Sequence, residues 1–221
     1  MSPRPFNVDP DVMANIRPMA VLDARGVAEL HHAAMGRSTW ALLGIPFLQA
    51  LYSSLMDDDH FLGFVYEHEG VVAGFIAGSQ NTDAMMSATF RRAWPVLALK
   101  ALPRVLKPNI LWKLLQTHRY SQVSGAEDTA ESLFCSFKKE LRGKRISGHI
   151  NKVLFDELLA RGHQRVKITT EADNQGANRQ LTSWGFQDQG HFSFYGKEMV
   201  LYVLELQTSE RVDPVSRHPA V

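Results

Sequence analysis

Apolar and polar positions change their period several times along the chain, and each change predicts an element. ESLFCSF (Glu131–Phe137) is a short run rich in apolar and aromatic residues, the pattern of a largely buried strand. KKELRGKRISG (Lys138–Gly148) follows as a basic, glycine-containing loop. HINKVLFDELLARG (His149–Gly162) then sets Ile150, Val153, Leu154, Leu158 and Leu159 on one helical face. Upstream, Asn15–Met19 predicts a short strand, and Asp23 is placed to cap a helix whose apolar stripe is Val27, Leu30, Ala34 and Met35. GRSTWALLG reads as a loop, and a second helix runs from about Pro46 to Met56, with Asp57–Asp59 beyond its end. FLGFVYEHEG and VVAGFIAGS are β-rich arms of a hairpin turning at Glu69-Gly70. Downstream, Gln164–Asp173 alternates Val166, Ile168 and Thr170 with polar residues and predicts a strand. Asn174–Trp184 gives a helix stopped by Gly185, and Phe186–Phe194 and Glu198–Leu206 are closing strands joined around Gly196. The sum is a mixed α/β sheet with helices on both faces, a single domain over 1–221 with polar, proline-containing tails at 1–14 and 207–221.

Strand, basic loop and helix in that order make a cradle for an anion. The first N–H groups of a helix have no internal acceptor, and the helix dipole adds partial positive charge there. Lys138, Lys139, Arg142, Lys144 and Arg145 surround that point against one carboxylate, Glu140. Composition narrows the ligand: the net charge of +1 provides no global field for nucleic acid or a membrane. One cysteine excludes an internal disulfide framework and fits a reducing compartment. No apolar run reaches the roughly 20 residues of a spanning helix, and MSPRPFNVDPD lacks a signal-peptide core, so a cytoplasmic protein is expected. His31, His32, His60, His68, His149, His163 and His191 never adopt paired metal-ligand spacing, so no metal site is expected.

LFCSFKKELRGKRISGHINKVL resembles the pyrophosphate-loop motif of the GNAT superfamily of acyl-CoA-dependent N-acyltransferases, written R-G-x-G-x-G. Arg142 and Gly143 match, Arg145 stands where a glycine is usual, and Ser147 where Gly or Ala is usual. NQGANRQLTSWGF is similar to a second block of the family, N-x-x-A-(7)-G-F, with Asn174, Ala177, Gly185 and Phe186 in place. The resemblance implies a GNAT-like, mostly antiparallel central sheet whose central strands splay to admit acyl-CoA. It implies that the backbone of Phe137, Lys138 and Lys139 pairs with the pantetheine amides, and that the loop Arg142, Gly143, Lys144, Arg145, Ile146, Ser147 and Gly148 holds the pyrophosphate. Asn174 would bond near the pantetheine, with Asn178 one turn along. Arg145 in place of glycine either adds a phosphate contact or obstructs close backbone approach.

A compact GNAT domain has a short connection where this chain has some fifty residues between Ser79 and Glu131. The stretch 80–126 reads as a helical insertion between strands 3 and 4. Ala84–Ala126 contains no Asp or Glu, while Arg91, Arg92, Lys100, Arg104, Lys107, Lys113 and Arg119 are basic. Prolines at 95, 103 and 108 are expected to break it into short helices carrying Trp94, Leu97, Leu99, Leu102, Leu111 and Trp112. It fits a lid over the acceptor pocket, plain packing or a homodimer contact, or a surface for an acyl carrier protein or a membrane face.

Acyl transfer to an amine needs a base, donors for the developing oxyanion and a proton for the departing thiolate. Glu131 lies eleven residues before Arg142, the spacing at which histone-acetyltransferase-like members carry a base glutamate. Glu127 and Asp128 are fallback bases, and Glu67, His68 and His31 weaker ones. Many members have a Tyr seven residues after the matched Asn; that position is Leu181, with Tyr195 or Tyr120 as substitutes. Alternation puts Cys135 on the strand face of Glu131, where a small core residue is the ordinary reading and a nucleophile the rarer one. The expected activity is transfer of an acetyl group from acetyl-CoA to a small primary amine. A non-catalytic acyl-CoA-binding domain, or an enzyme using a longer acyl chain or a carrier protein, are the alternatives.

Overall fold

A computed structural model describes residues 8–36, 38–105, 129–141, 143–194 and 196–206, without the side chains of Thr39 and Val105. The expected proline break at 108, the apolar residues beyond it, and Tyr120, Glu127, Asp128, Arg142 and Tyr195 lie outside these residues.

The elements run α1 (Pro10–Ala14), β1 (Ile16–Pro18), a 3₁₀ turn (Val21–Asp23), α2 (Ala24–Met35), α3 (Thr39–Leu42), α4 (Ile45–Leu55), β2 (Phe61–His68) and β3 (Val71–Ser79). There follow α5 (Thr82–Val105), β4 (Ala130–Phe137), a 3₁₀ turn (Lys139–Leu141), α6 (Ile146–Ala160), β5 (Arg165–Glu171), α7 (Gln175–Ser183), β6 (Gln187–Phe194) and β7 (Lys197–Glu205). The seven strands form one sheet in the order β1-β2-β3-β4-β5-β7-β6. Every neighbouring pair is antiparallel except β4 and β5. The β2–β3 turn is the predicted one: Glu69 (φ 53°) and Gly70 (φ 75°) are both left-handed, as a two-residue turn between twisted strands requires.

Two apolar layers enclose the sheet. On one face Val27, Leu51, Tyr52, Phe75, Met85 and Leu97 join α2, α4 and α5 to the strands. On the other, Ile76, Ile150, Leu154, Leu158, Val166 and Tyr202 pack α6 against it. Among the described residues no helix is long and apolar enough to cross a membrane.

Several expectations are corrected. Pro10–Ala14 is a short helix, not tail: Asp9 caps it, and Asp9 N–H donates to Nε2 of His149 at 2.8 Å. Asp23 stands before α2 but makes no cap to it, because Arg17 and the Ala20 N–H take its carboxylate. In α2 Val27 and Leu30 are buried as expected, together with Ala24, Ala28 and His31, while Ala34 is exposed and Met35 half-buried. The loop 36–44 contains the one-turn helix α3, capped by Ser38. Helix α6 begins three residues early, so Ile146, Ser147 and Gly148 form its first turn.

The insertion is also different. Thr82–Val105 is one continuous helix with Pro95 and Pro103 inside it. A proline removes the bond to the carbonyl four residues back, and those carbonyls belong to Arg91 and Leu99, both on the exposed side. The bonds are lost where water can replace them, so the helix runs on.

Candidate active site

Strand β4 divides into two halves. From Ala130 to Ser132 it pairs in parallel with Val166, Lys167 and Ile168 of β5, and at Glu131 and Ser132 it pairs with β3 as well. Beyond Ser132 the pairing with β3 continues to Phe137, but no β5 residue pairs with β4. The two central strands therefore splay toward the loop before α6, as the family resemblance implies.

A β-bulge marks the boundary. Ala77 pairs with Phe134 and Gly78 with Ser132, so Leu133 is the extra residue. The bulge resets the alternation of side chains. Leu133 and Phe134 both pack into the α2/α4/α5 layer, and Cys135 passes to the α6 layer, within 3.7 Å of Asn151 Nδ2. Cys135 thus does not share a face with Glu131. Burial raises its thiol pKa to about 12, which leaves no thiolate for a nucleophile at neutral pH.

At the open end, Lys138 N–H donates to the Ala73 carbonyl at 2.8 Å. Backbone direction alternates along a strand, so the Phe137 N–H faces the splayed edge. The Phe137 ring covers Gly74, where a Cβ would come within 2.1 Å of it. The loop then turns through two left-handed residues, Gly143 (φ 80°) and Arg145 (φ 59°). Arg145 occupies the position where the motif has glycine, and its conformation is the one glycine adopts freely. Among the described residues no acceptor is found for the N–H groups of Arg145, Ile146 and Ser147, which open α6. Lys139, Lys144 and Arg145 are exposed around them. This end fits an anion held by backbone donors, and Ser147 Oγ is fixed by Gln180 Nε2 of α7 at 2.9 Å.

Asn174 and Asn178 border the same opening from α7. Asn174 Oδ1 caps the helix through Ala177 N–H, and Asn178 Nδ2 bonds the Glu171 and Ala172 carbonyls at the end of β5. Asn178 Oδ1 is buried without a partner among the described residues. Leu181, at the position of the family's Tyr, is a buried core residue beside α6.

At the closed end Glu131 is 9% exposed. Its Oε2 accepts the Thr82 hydroxyl at 2.7 Å and lies 3.9 Å from Lys167 Nζ, which is itself buried. Desolvation pushes the carboxyl pKa up, opposed by Lys167 and Thr82, and the nearby Asp83 adds to the rise. Oε1 makes no hydrogen bond among the described residues. A carboxylate with one oxygen anchored and the other unbonded can accept a proton. Lys167 was not singled out from the sequence. It alternates with Val166 and Ile168 like an outward residue, but β5 is a central strand covered on both faces.

The other candidate bases separate clearly. Glu67 binds Arg17 at 2.5 Å at the sheet edge, and His68 stacks on Tyr66 near the hairpin turn. His31 is fully buried beneath β3 and β4, against Phe134 at 4.7 Å and Phe75 at 6.4 Å between ring centroids. Tyr52 lies 2.7 Å from its Nδ1 and Ser38 Oγ 3.3 Å from its Nε2. The Tyr52 hydroxyl has no other acceptor among the described residues, so it donates to Nδ1, and Nε2–H donates to Ser38. Burial lowers the His31 pKa to about 4, so the ring is neutral near pH 7. This chain ties α2, α4 and the 36–44 segment together. Among the described residues no group of three or more His, Cys, Asp or Glu could hold a metal ion.

No protein-family model matches the sequence, and curated protein sequences give no significant match. Solved structures do. An N-acetyltransferase from Staphylococcus aureus Mu50 superposes with a TM-score of 0.57 at 18% identity, covering 87% of this chain and 98% of the other. A ribosomal-protein-alanine N-acetyltransferase from Brucella melitensis gives 0.58 at 16% identity, over 86% and 99%. The yncA protein of Salmonella typhimurium, solved with its cofactor acetyl-CoA, gives 0.55 at 16% identity, over 90% and 98%. At these identities the likeness is one of architecture, and it agrees with the two sequence blocks and the splayed strands: the chain has the GNAT fold.

Proposed function

We propose that the protein is an acetyl-CoA-dependent N-acetyltransferase acting on a small primary amine by direct transfer in a ternary complex. The observation that carries this reading is the splay of β4 from β5 beyond Ser132–Ile168, ending at the first turn of α6. The pyrophosphate would lie on the N–H groups opening α6, within the loop 142–148, and the pantetheine along the free edge of β4 toward the bulge. Lys139, Lys144 and Arg145 supply the charge, Arg142 by its place in the motif. Acetyl-CoA in complex with the Salmonella relative supports the choice of donor.

Glu131 takes a proton from the acceptor amine, directly or through a water. The amine nitrogen attacks the thioester carbonyl carbon, and the C–N bond forms as the carbonyl oxygen gains charge. A backbone N–H on the open edge of β4, between the bulge and Phe137, polarises that oxygen. The intermediate expels the CoA thiolate by breaking the C–S bond, and the thiolate takes a proton from water, the amine or a hydroxyl such as Tyr195. Atoms and charge balance without another reactant.

A second reading has its own support: Glu131 is anchored to Thr82 and Lys167, and Leu181 is packed in the core, as in a domain that binds acyl-CoA without turnover. Calorimetric titration with acetyl-CoA and with CoA, repeated on Arg142→Glu, tests the site common to both. Micromolar binding abolished by the charge reversal is expected; no binding to either ligand overturns both readings. A screen of amines for acetyl-CoA-dependent acetylation separates them, since the binding domain turns nothing over.

A further inference from the structure

His149, near the start of α6, is 3% exposed. An imidazole so enclosed is stable only with its ring nitrogens hydrogen-bonded. Asp9 N–H lies 2.8 Å from Nε2, and a backbone N–H can only donate, so Nε2 is the acceptor. The proton of the neutral ring is therefore on Nδ1, which donates to the Arg145 carbonyl at 3.0 Å. One side chain thus joins the residue that caps α1 to the residue that precedes α6.

The carbonyl it holds belongs to the peptide that turns the chain into the helix. Arg145 is left-handed (φ 59°, ψ 8°), a conformation that a residue with a Cβ adopts only at a cost, so its peptide is held from outside. Gly148 N–H donates to the same carbonyl at 3.1 Å, and the imidazole is a second donor. A trans peptide is planar, with its C=O and the following N–H pointing opposite ways. Fixing the Arg145 carbonyl toward the body of α6 therefore fixes the Ile146 N–H pointing away from it. That N–H is one of those that open the helix with no acceptor among the described residues. The ring grips the peptide from behind, and the donor is aimed in front.

We infer that His149 is a positioning residue for the phosphate cradle: its Nδ1–H holds the Arg145–Ile146 peptide so that the Ile146 N–H meets the pyrophosphate, and Asp9 N–H holds the ring in the tautomer that does so. The inference rests on the acyl-CoA reading above and adds a residue that the motif does not contain. It also couples the N-terminal helix to the cradle, since residues 9–14 act on that peptide through one ring.

The test is calorimetric titration of the full chain with acetyl-CoA, comparing wild type with His149→Leu, His149→Asn, Asp9→Pro and Asp9→Ala. His149→Leu fills the site but removes both hydrogen bonds, and should weaken binding by roughly five- to tenfold. An asparagine in this helix reaches the carbonyl four residues back, as Asn151 Nδ2 does to Ser147 at 2.8 Å. His149→Asn should therefore restore affinity to within about twofold of wild type. Asp9→Pro removes the N–H that fixes the tautomer, whereas Asp9→Ala removes only the capping carboxylate, so the first should bind about threefold more weakly than the second. A histidine that merely packs α6 would shift the melting temperature and leave Leu and Asn alike in affinity. His149→Leu binding as tightly as wild type, or His149→Asn binding as weakly as His149→Leu, overturns the inference. Where His149→Leu does not fold, the Asp9 pair decides, and equal affinities overturn it. Wild type that binds no acetyl-CoA overturns the acyl-CoA reading and this inference with it, whereas tight wild-type binding that no variant weakens overturns this inference alone.

Discussion

The two ends of β4 meet the same problem, a polar group inside an α/β sheet, and solve it differently. At Glu131 and Ser132 the strand is paired on both edges, and a carboxylate and an ammonium, Glu131 and Lys167, are enclosed by packing. At the Phe137 end one edge is open, and the polar groups are backbone N–H donors and the left-handed turn at Gly143 and Arg145. Enclosure shifts a pKa but admits little; an open edge admits a ligand but perturbs nothing. A transferase needs both, with the thioester carried from the second end toward the first. The bulge at Leu133 separates them and sets which side chains face each layer.

Glu131→Gln should break the comparison most strongly. If the enclosed carboxylate is the base, the acetylation rate falls by about 10²–10⁴-fold while acetyl-CoA affinity measured by calorimetry stays within about twofold. An unchanged rate in an active preparation removes Glu131 from the mechanism. The same variant has a stability signature. A carboxyl whose folded pKa is raised contributes stability that is present below its unfolded pKa and lost as pH rises through the folded pKa. The melting temperature of the wild-type protein should therefore fall relative to Glu131→Gln as pH rises above the ordinary carboxylate range, in paired melts across that window.

Gly143→Val tests the open end. Its φ of 80° is strained for a β-branched residue by about 1–2 kcal/mol, and the strain falls on the turn proposed to aim the loop at the phosphates. Acetyl-CoA affinity should drop by about tenfold, with the melting temperature changing by a few degrees and the Glu131 pH signature untouched. If affinity is unaffected, the pyrophosphate does not sit on this turn.

His31 offers a third lever, buried on the face of Glu131 but without a counter-charge. Its folded pKa is about 4 against an ordinary 6.5, so the stability of the neutral ring is present above 6.5 and lost as pH falls toward 4. His31→Phe should flatten that acid limb in melts between pH 7 and pH 4. Tyr52→Phe leaves Nδ1 without its donor at a cost of about 1–2 kcal/mol, seen in denaturant midpoints at pH 7.

Most of the sheet was legible because strand and helix periods are local. The hairpin arms, the central strand and helix, and the last three strands lie where alternation and glycine stops place them. What escaped was set by neighbours far along the chain. Cys135 changes face because β3 imposes a bulge on β4, and no pattern within ESLFCSF records it. Lys167 is buried because of the strand order, and Asp23 is taken from its helix by Arg17. The prolines of α5 misled for a related reason: their cost depends on which side of the helix loses its bonds. The left-handed turn before α6 lies in a contiguous run that could be read locally, whereas Thr82, forty-nine positions from Glu131, could not.

The smallest predicted effect is the sharpest probe of the open end. Arg145 combines two properties, a side-chain charge at the mouth of the cradle and a backbone in the left-handed region with φ 59°. Arg145→Gly removes both the charge and the strain, and relief of the strain alone should stabilise the fold by up to about 1 kcal/mol. Arg145→Asn removes the charge but keeps a side chain tolerant of that conformation. If Arg145 contacts phosphate, both variants bind acetyl-CoA a few-fold more weakly, and the loss shrinks as salt screens the charge. If instead the side chain obstructs the backbone approach that glycine allows, Arg145→Gly binds more tightly than wild type and Arg145→Asn does not. The two outcomes have opposite signs, so one pair of titrations at two salt concentrations decides whether this chain departs from the motif by adding a contact or by losing one.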